Sequence, residues 1–543
     1  MNSRISSLHA SPDAELAIHQ CLSELSTVRF QERIWQHDTG LWRGDDAEMA
    51  QRLGWLHLGE TMAGQLGQLE RLRDELRQEG YTDAVLLGMG GSSLGAEVVS
   101  SILGRTDALH QHVLDSIVPE AITRVRESVA LERTVFIVSS KSGGTLEPNL
   151  LYEYFRNRVE SETGTEHVGR HFIAITDPGS SLEKLATTGG FRRVFLNPSD
   201  IGGRYAVLSF FGLVPGALAG ADIQRVHDSG AGMAQSCRTA HGERDNPALI
   251  LGAHMGGCAR GGRNKLTIVT SPTLRSFGWW AEQLIAESTG KQGTGILPVV
   301  DEPALPIDSY SSDRAFVYMR LASDTTTELD AHIDAVVAAG HPCLTIDLTD
   351  AADMGAEFFR WEYATACAGA LLHIDPFNQP DVQRSKDAGK RVLEHYVKNG
   401  TLPEQESGAT SDSLVAHIPG GSYLAVMAYV SRRDEIDDVV EAFRQRVGER
   451  FRVATTFGYG PRFLHSTGQL HKGGPPTGRF LQIVTAHPSD IPLPEHPYTF
   501  GVAADAQAQG DLEALTTLGR PIARIRLDND DADQLARALS RIC

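Results

Sequence analysis

Two short segments concentrate the hydrogen-bond donors that an anion needs. The run VLLGMGGSSLGAE sets Gly88, Gly90, Gly91, Ser92, Ser93 and Gly95 directly after an apolar stretch and before a helical pattern. Such a turn leaves backbone N–H groups and a helix N-terminus facing one point, which suits a phosphate. The same run also admits a dinucleotide, because Asp115 ends the next apolar stretch about 20 residues on, where an acidic ribose ligand is expected. Ser93 occupies the place of that fingerprint's third glycine. The second run, TVFIVSSKSGGTLEPN, ends an apolar stretch in Ser139, Ser140, Lys141, Ser142, Gly143, Gly144 and Thr145. Hydroxyls and free amides that converge in this way suit a terminal phosphomonoester, whose three oxygens accept hydrogen bonds from several directions. A Ser/Thr helix N-cap explains one hydroxyl and leaves the others unexplained.

Both turns follow buried-strand patterns. From Ala84 onward AVLLGM, HVLD, TVFIVSS, HFIAIT and RVFLN alternate with helical stretches, as parallel strands covered on both faces do. A second set runs through KLTIVTS, VYMRL and CLTIDL and is followed by the amphipathic stretch GAEFFRWEYATACAGALLH. A polar stretch at 399–413 has linker composition, and YLAVMAYV, VATTFGY, FLQIV and ARIRL come after it. Leu66, Leu69, Leu72 and Leu76 recur at near-helical spacing ahead of the first strand. The expected organisation is therefore a helical arm over 1–80, α/β domains over 81–235 and 245–398, and a third α/β segment over 414–543. A chain of 543 residues exceeds what one core usually serves, which agrees with that division.

Composition narrows the function classes. A formal charge of -19, with no long Lys/Arg run, offers nothing to a nucleic-acid backbone, yet a few amides and one or two buried cations still hold a small anion. Six dispersed cysteines (Cys21, Cys237, Cys258, Cys343, Cys367 and Cys543), without a CxxC pair, predict neither a metal site nor a disulfide framework. The first 20 residues lack a signal-peptide pattern and no apolar run approaches a membrane span, so a cytoplasmic protein with no membrane association is expected.

Three further segments add to the two loops: PSDIGGRYAVLSFFGL (198–213), WWAEQLIAESTGKQG (279–293) and FNQPDVQRSK (377–386). Together with the loops, which resemble the phosphate cradle of a sugar isomerase (SIS) domain, they resemble the Gly-Gly-Arg-Tyr, Glu-Ser-x-Gly-Lys and Gln/Lys signatures of the phosphoglucose isomerase family. The likeness extends from Gly88 to Lys386, with one more match near His465. The resemblance implies two tandem SIS-type, doubly wound parallel-sheet domains and a cofactor-free, metal-free interconversion of glucose 6-phosphate and fructose 6-phosphate. It implies that Ser92, Ser140, Ser142 and Thr145 bind the sugar phosphate, and that Gly91, Gly203 and Gln379 contact the sugar. Glu287 becomes the proton-transferring base, Arg204 its electrostatic partner and Lys386 a substrate-contacting catalytic group. His465, in PRFLHSTGQLHKGG, becomes the ring-opening histidine, although it follows the Gln/Lys segment where many relatives place theirs before it. The resemblance also implies a homodimer whose histidine crosses into the neighbouring site. The chain is further similar to the isomerase half of fusions with a transaldolase, but the roughly 80 residues before Ala84 are too few for a barrel of about 250.

The chemistry fits these residue types. An aldose–ketose exchange moves a proton between adjacent carbons through an enediol and needs one base and one group that stabilises an oxyanion. Glu287 lies seven residues after Trp280 and three after Leu284, beside an apolar helix face where burial favours a carboxyl that works as a base. A helix-end carboxylate near Gly290 is the structural alternative. Glu282 points elsewhere and is expected to be solvated. His471 lies close to His465 in sequence. Two other readings keep the cradle: a phosphosugar-binding regulator without chemistry, and an isomerase for another hexose phosphate such as mannose 6-phosphate, because a phosphate cradle does not report sugar stereochemistry.

Overall fold

Apolar runs of four to eight residues, each too short to be a stable helix, form the strands of three sheets. The computed structural model describes residues 3–404 and 410–543, so the linker read at 399–413 lies partly outside the described residues. After an N-terminal strand β1 (Ser3–His9) come β2 (Asp83–Gly88), β3 (His110–Leu114), β4 (Thr134–Ser139), β5 (Phe172–Thr176) and β6 (Arg193–Leu196). The last five form an all-parallel sheet in the order β3-β2-β4-β5-β6. β7 (Lys265–Thr270), β8 (Leu297–Val300), β9 (Arg314–Leu321) and β10 (Cys343–Leu348) make a second sheet, in the order β1-β10-β9-β7-β8. β11 (Tyr423–Tyr429), β12 (Ala454–Tyr459), β13 (Gly478–Thr485) and β14 (Ile522–Leu527) make a third parallel sheet, in the order β12-β11-β13-β14. The molecule is an α/β protein of SIS-like parallel sheets, with helices on the sheet faces.

Two strands depart from the sequence reading. The residues taken as the start of a helical arm form β1, which pairs antiparallel with β10 from Ser3↔Leu348 to His9↔Cys343. Long-range pairing decides this. The Ser3 hydroxyl donates to Glu357 and Arg360 donates to the Ser3 carbonyl at 3.1 Å, both inside the protein. β8 escaped notice because Pro298 interrupts a four-residue run, and the sheet tolerates that proline at its edge. The stretch read as amphipathic, helix Met354–Leu371, is in fact buried along nearly its whole length. It packs against helices Ile223–Thr239, Pro247–Arg260 and Phe277–Thr289.

Helix Phe277–Thr289, which carries Glu287, is fixed by its apolar face. Trp280 meets Phe358 edge-on with ring centroids 4.9 Å apart, and Phe277 meets Trp361 at 5.5 Å. Such aromatic pairs contribute about 0.5–1.5 kcal/mol each beyond their burial, so the helix has little freedom to rotate.

The third sheet is joined to the second by buried charge. Arg444 donates to the carbonyls of Val300 (3.0 Å), Asp301 (2.7 Å) and Thr455 (2.8 Å). Glu302 takes a two-pronged bond from Arg314, with both N···O distances 2.8 Å and both side chains 1% exposed, and accepts the Thr455 N–H at 3.3 Å. Removing one partner of such a pair strands a buried charge, which costs about 3–5 kcal/mol. Glu302→Ala is therefore expected to lower the urea unfolding free energy by about that much, whereas a loss under about 1 kcal/mol would show that Arg314 finds water or another partner.

Candidate active site

β2 and β4 are neighbours, but the chain leaves them in opposite directions, to β3 and to β5. Open α/β sheets bind ligands at such a switch point, outside the carboxyl ends of the strands. The two donor-rich loops leave those ends. The Ser139 hydroxyl donates to the Ser92 carbonyl at 2.9 Å and holds the loops together. Ser140 donates to Thr145 at 3.2 Å, and the Ser142 hydroxyl accepts the Gly144 N–H at 3.2 Å. Thr145 precedes helix Leu146–Thr163 and does not cap it with its own side chain. The hydroxyls and the uncapped first-turn amides thus share one rim, as an anion site requires.

The first loop is pressed against the loop that carries Arg204. A methyl group on Gly91 would stand 2.1 Å from the Gly203 carbonyl oxygen and 2.8 Å from the Arg204 nitrogen. Only glycine permits that approach. Arg204, 3% exposed, then donates to Ser288 (2.7 Å), Gln379 (3.1 Å) and the carbonyls of Pro376 (2.6 Å) and Asn378 (3.0 Å). Its guanidinium lies 3.4 Å from the Glu287 carboxylate, which is itself 8% exposed. Gln283, one helical turn before Glu287, donates to that carboxylate at 3.1 Å and to the His465 carbonyl at 2.8 Å.

His465 ends a short turn, Arg462–His465, that leaves β12, so the third sheet delivers it. Its Nε2 lies 3.0 Å from Glu147, the second residue of helix Leu146–Thr163. A methyl group on Gly90 would come within 3.0 Å of the His465 Cβ and 2.8 Å of Gln283 Nε2. The histidine, the first loop and the base helix are therefore in mutual contact. The resemblance implied a histidine crossing from a partner subunit; here His465 pairs with Glu147 of its own chain.

Ser92, Ser140, Thr145, Gly91, Gly203, Arg204, Glu287, Gln379 and His465 are thus joined by the contacts of the two loops and of Arg204, Gln283 and Gly90, while Ser142 is exposed and, among the described residues, meets only the Gly144 amide of its own loop. Lys386 is not joined to them. It stands exposed on helix Val382–Asn399 and forms no hydrogen bond or ion pair among the described residues. His471 is buried, bonded to the Tyr423 hydroxyl at 3.0 Å, and burial holds its imidazole well below the usual range, which marks it as structural. Asp115, weighed as a ribose ligand, is paired with Arg462 at 2.8 Å. Glu282, expected in solvent, is instead 8% exposed and lines a neighbouring cavity, because the third sheet packs over its helix face.

Sequence reasoning passed over four residues that complete the site. Gln283 sits one turn from Glu287 on the same helix and was detectable by that spacing. Glu147 carries no local signal, because its partner is 318 residues away. The Lys291 ammonium donates to the carbonyls of Asp375 and Asn378, in the loop that Arg204 also holds. Burial, followed by the Arg204 charge, pushes Lys291 well below the usual ammonium range. Gln469 donates to the Gly290 carbonyl and to Asp381, both at 2.9 Å, and accepts the Asp381 N–H at 2.9 Å.

The parallel SIS-like sheets and the two donor-rich loops at a switch point define the fold of this chain and the place of its candidate site. Residues 77–308 match the family model described as phosphoglucose isomerase. Glucose-6-phosphate isomerase of Synechococcus sp. (strain CC9605) is 29% identical over 58% of this chain and 66% of its own length. That of Parabacteroides distasonis is 27% identical over 65% of this chain and 89% of its own. Among solved structures, a glucose-6-phosphate isomerase from Chlamydia trachomatis superposes with a TM-score of 0.58 at 20% identity, covering 70% of this chain and 86% of that one. A hypothetical protein from Thermus thermophilus superposes with a TM-score of 0.61 at 22% identity, covering 71% of this chain and 99% of that one. The phosphoglucose isomerase match thus lies within residues 77–308, and over more of its length the chain is distantly similar to glucose-6-phosphate isomerases. These relatives carry the isomerase name alone and lend no support to the likeness to a transaldolase fusion.

Two measurements test this geometry. Gly91→Ala drives the first loop off the Arg204 loop, and a displacement near 1 Å costs on the order of 10²-fold in turnover; unchanged kcat/KM in a folded variant would separate the Gly91–Gly203 contact from Arg204 placement. Burial alone would raise the Glu147 carboxyl, but the His465 charge and hydrogen bond, helped by Gln507, bring it down from 4.5 to about 2. A lowered folded-state value means that the stabilisation is complete above about pH 4.5 and is lost as the pH falls toward about 2. Unfolding measured across that window should show a flatter pH dependence for Glu147→Gln than for the wild type, and parallel curves would break the assigned pairing.

Proposed function

We propose that the chain is a glucose-6-phosphate isomerase that interconverts glucose 6-phosphate and fructose 6-phosphate. The observation that carries this reading is the Glu287 carboxylate, nine-tenths buried and 3.4 Å from the Arg204 guanidinium, within one network with the phosphate rim. The hydroxyls of Ser92, Ser140, Ser142 and Thr145 take the phosphate and leave the sugar carbons over Glu287. His465, oriented by Glu147, moves the ring-opening proton, and Lys386 at the open side meets the sugar hydroxyls. Glu287 then takes the proton from carbon 2 and returns it to carbon 1, while Arg204 offsets the charge on the enediolate oxygen. A cytoplasmic location accords with these substrates. Among the described residues no helix is long and apolar enough to cross a membrane.

The phosphate rim alone would serve a binding protein equally well. A buried carboxylate held by both a guanidinium and a carboxamide favours chemistry over mere binding. The test supplies fructose 6-phosphate, without added metal or nucleotide, and detects glucose 6-phosphate. Wild type should turn over, and Glu287→Gln should lose about 10²–10⁴-fold in kcat with little change in KM, because the phosphate contacts remain. Tight phosphosugar binding without wild-type turnover would sink this assignment and favour a regulator or an enzyme for another sugar phosphate.

A further inference from the structure

Beside the catalytic network lies a cavity of about 450 Å³ that the isomerisation does not use. Its walls come from the residues beyond the carboxyl ends of β3, β11 and β12 and from the Trp279 and Glu282 face of helix Phe277–Thr289. It therefore sits where the strand ends of two parallel sheets face each other, which is the usual place for ligands in this architecture. The turn Arg462–His465 is a shared wall: Arg462 and Phe463 line the cavity, while His465 turns to Glu147.

Glu282 is the group that calls for an occupant. It is more than nine-tenths buried, lines the cavity and forms no hydrogen bond or ion pair among the described residues. Its carboxyl oxygens open to the cavity, and a ligand hydroxyl there satisfies the carboxyl by donating and accepting at once. The arginines around it are already engaged. Arg462 holds Asp115 at 2.8 Å and also pairs with Glu97, Arg432 holds Glu97 at 2.9 Å, and Arg444 donates to backbone carbonyls. At the mouth, exposed Arg124 uses only its Nε, toward Ser431 at 3.3 Å, among the described residues.

Charge selects the class of occupant. Six arginines line the cavity against six carboxylic side chains besides Glu282. Burial, partly countered by Arg444 and Arg462, pushes Glu282 up to about 8, so the seventh carboxyl is largely neutral near pH 7. A balanced lining favours neither a phosphate nor an ammonium. It offers the Glu282 carboxyl and the Arg124 guanidinium as hydrogen-bonding groups, with the Phe463 side chain as an apolar wall.

We propose that this cavity is a second ligand site, one that takes an uncharged polyhydroxyl molecule of mono- or disaccharide size through Glu282 and Arg124. The site stands independently of the isomerase reading. It is tested by saturation-transfer NMR titrations of the full chain with D-glucose and with maltose, in wild type, Glu282→Leu and Arg124→Ala. Wild type should bind at least one sugar in the millimolar range, and Glu282→Leu should weaken that binding about tenfold, the scale of one buried hydrogen bond. Arg124→Ala, an exposed change that leaves folding intact, should weaken it about threefold. Fructose 6-phosphate turnover, if present, should be unchanged in both variants. Absence of binding up to on the order of 50 mM, or equal affinity in all three proteins, would overturn the proposal, the latter by assigning the sugar to the phosphosugar site.

Discussion

The structure turns on the opposition of Arg204 and Glu287. Both side chains are withdrawn from water, 3% and 8% exposed, and each would be costly there alone. Arg204 tolerates burial because its nitrogens reach Ser288, Gln379 and the carbonyls of Pro376 and Asn378 as well as the carboxylate. Those partners lie on helix Phe277–Thr289 and on the loop that leads to helix Val382–Asn399, while the arginine itself follows β6 of the first sheet. One guanidinium thereby ties the loop after β6 to helix Phe277–Thr289 and to the Pro376–Asn378 segment, and the Gly91–Gly203 contact sets where the first donor-rich loop stands relative to it.

Around that pair charged groups of both signs are buried together. The chain carries a formal charge of -19, yet the carbonyls of the Asp375–Asn378 loop face the guanidinium of Arg204 and the ammonium of Lys291 together. The carboxylates of Asp375, Glu287 and Glu48 oppose these two groups, so the cluster holds charges of both signs at short range. The suppressed basicity of Lys291 is the counterpart, since burial and the Arg204 charge both oppose its protonation.

The sequence revealed the strands that were apolar and bounded by turn residues, which is all of them except β1 and β8. Both exceptions are edge strands, β1 too polar and β8 too short and proline-broken to register, and both exist because a neighbour offers a ladder. The rim and Glu287 were legible because glycine, hydroxyl and carboxyl residues cluster locally in sequence. Glu147 and Gln469 were not, since each acquires its role from partners brought in by tertiary folding: His465 for one, Gly290 and Asp381 for the other. Glu282 was misread for a related reason. It follows the aromatic face of its helix, and only the packing of the third sheet shows that its own face is covered too.

That third sheet is a wall of the site rather than a cover over it. β12 ends in the turn that presents His465, and the following helix Gly468–Gly473 places Gln469 against both the end of the base helix and the start of helix Val382–Asn399. Arg444 and Thr455, from the same unit, grip the segment Val300–Glu302 just beyond β8. The Arg204–Glu287 pair is consequently braced from three sheets: by its own loop from the first, by its own helix from the second and by the Gln469 clamp from the third. Because His465 and Glu147 belong to one chain, the histidine's position is set by the same intramolecular packing that fixes Glu287. The carboxamide of Gln283, bonded to Glu287 on one side and to the His465 carbonyl on the other, is the physical link that keeps these two residues in a common frame.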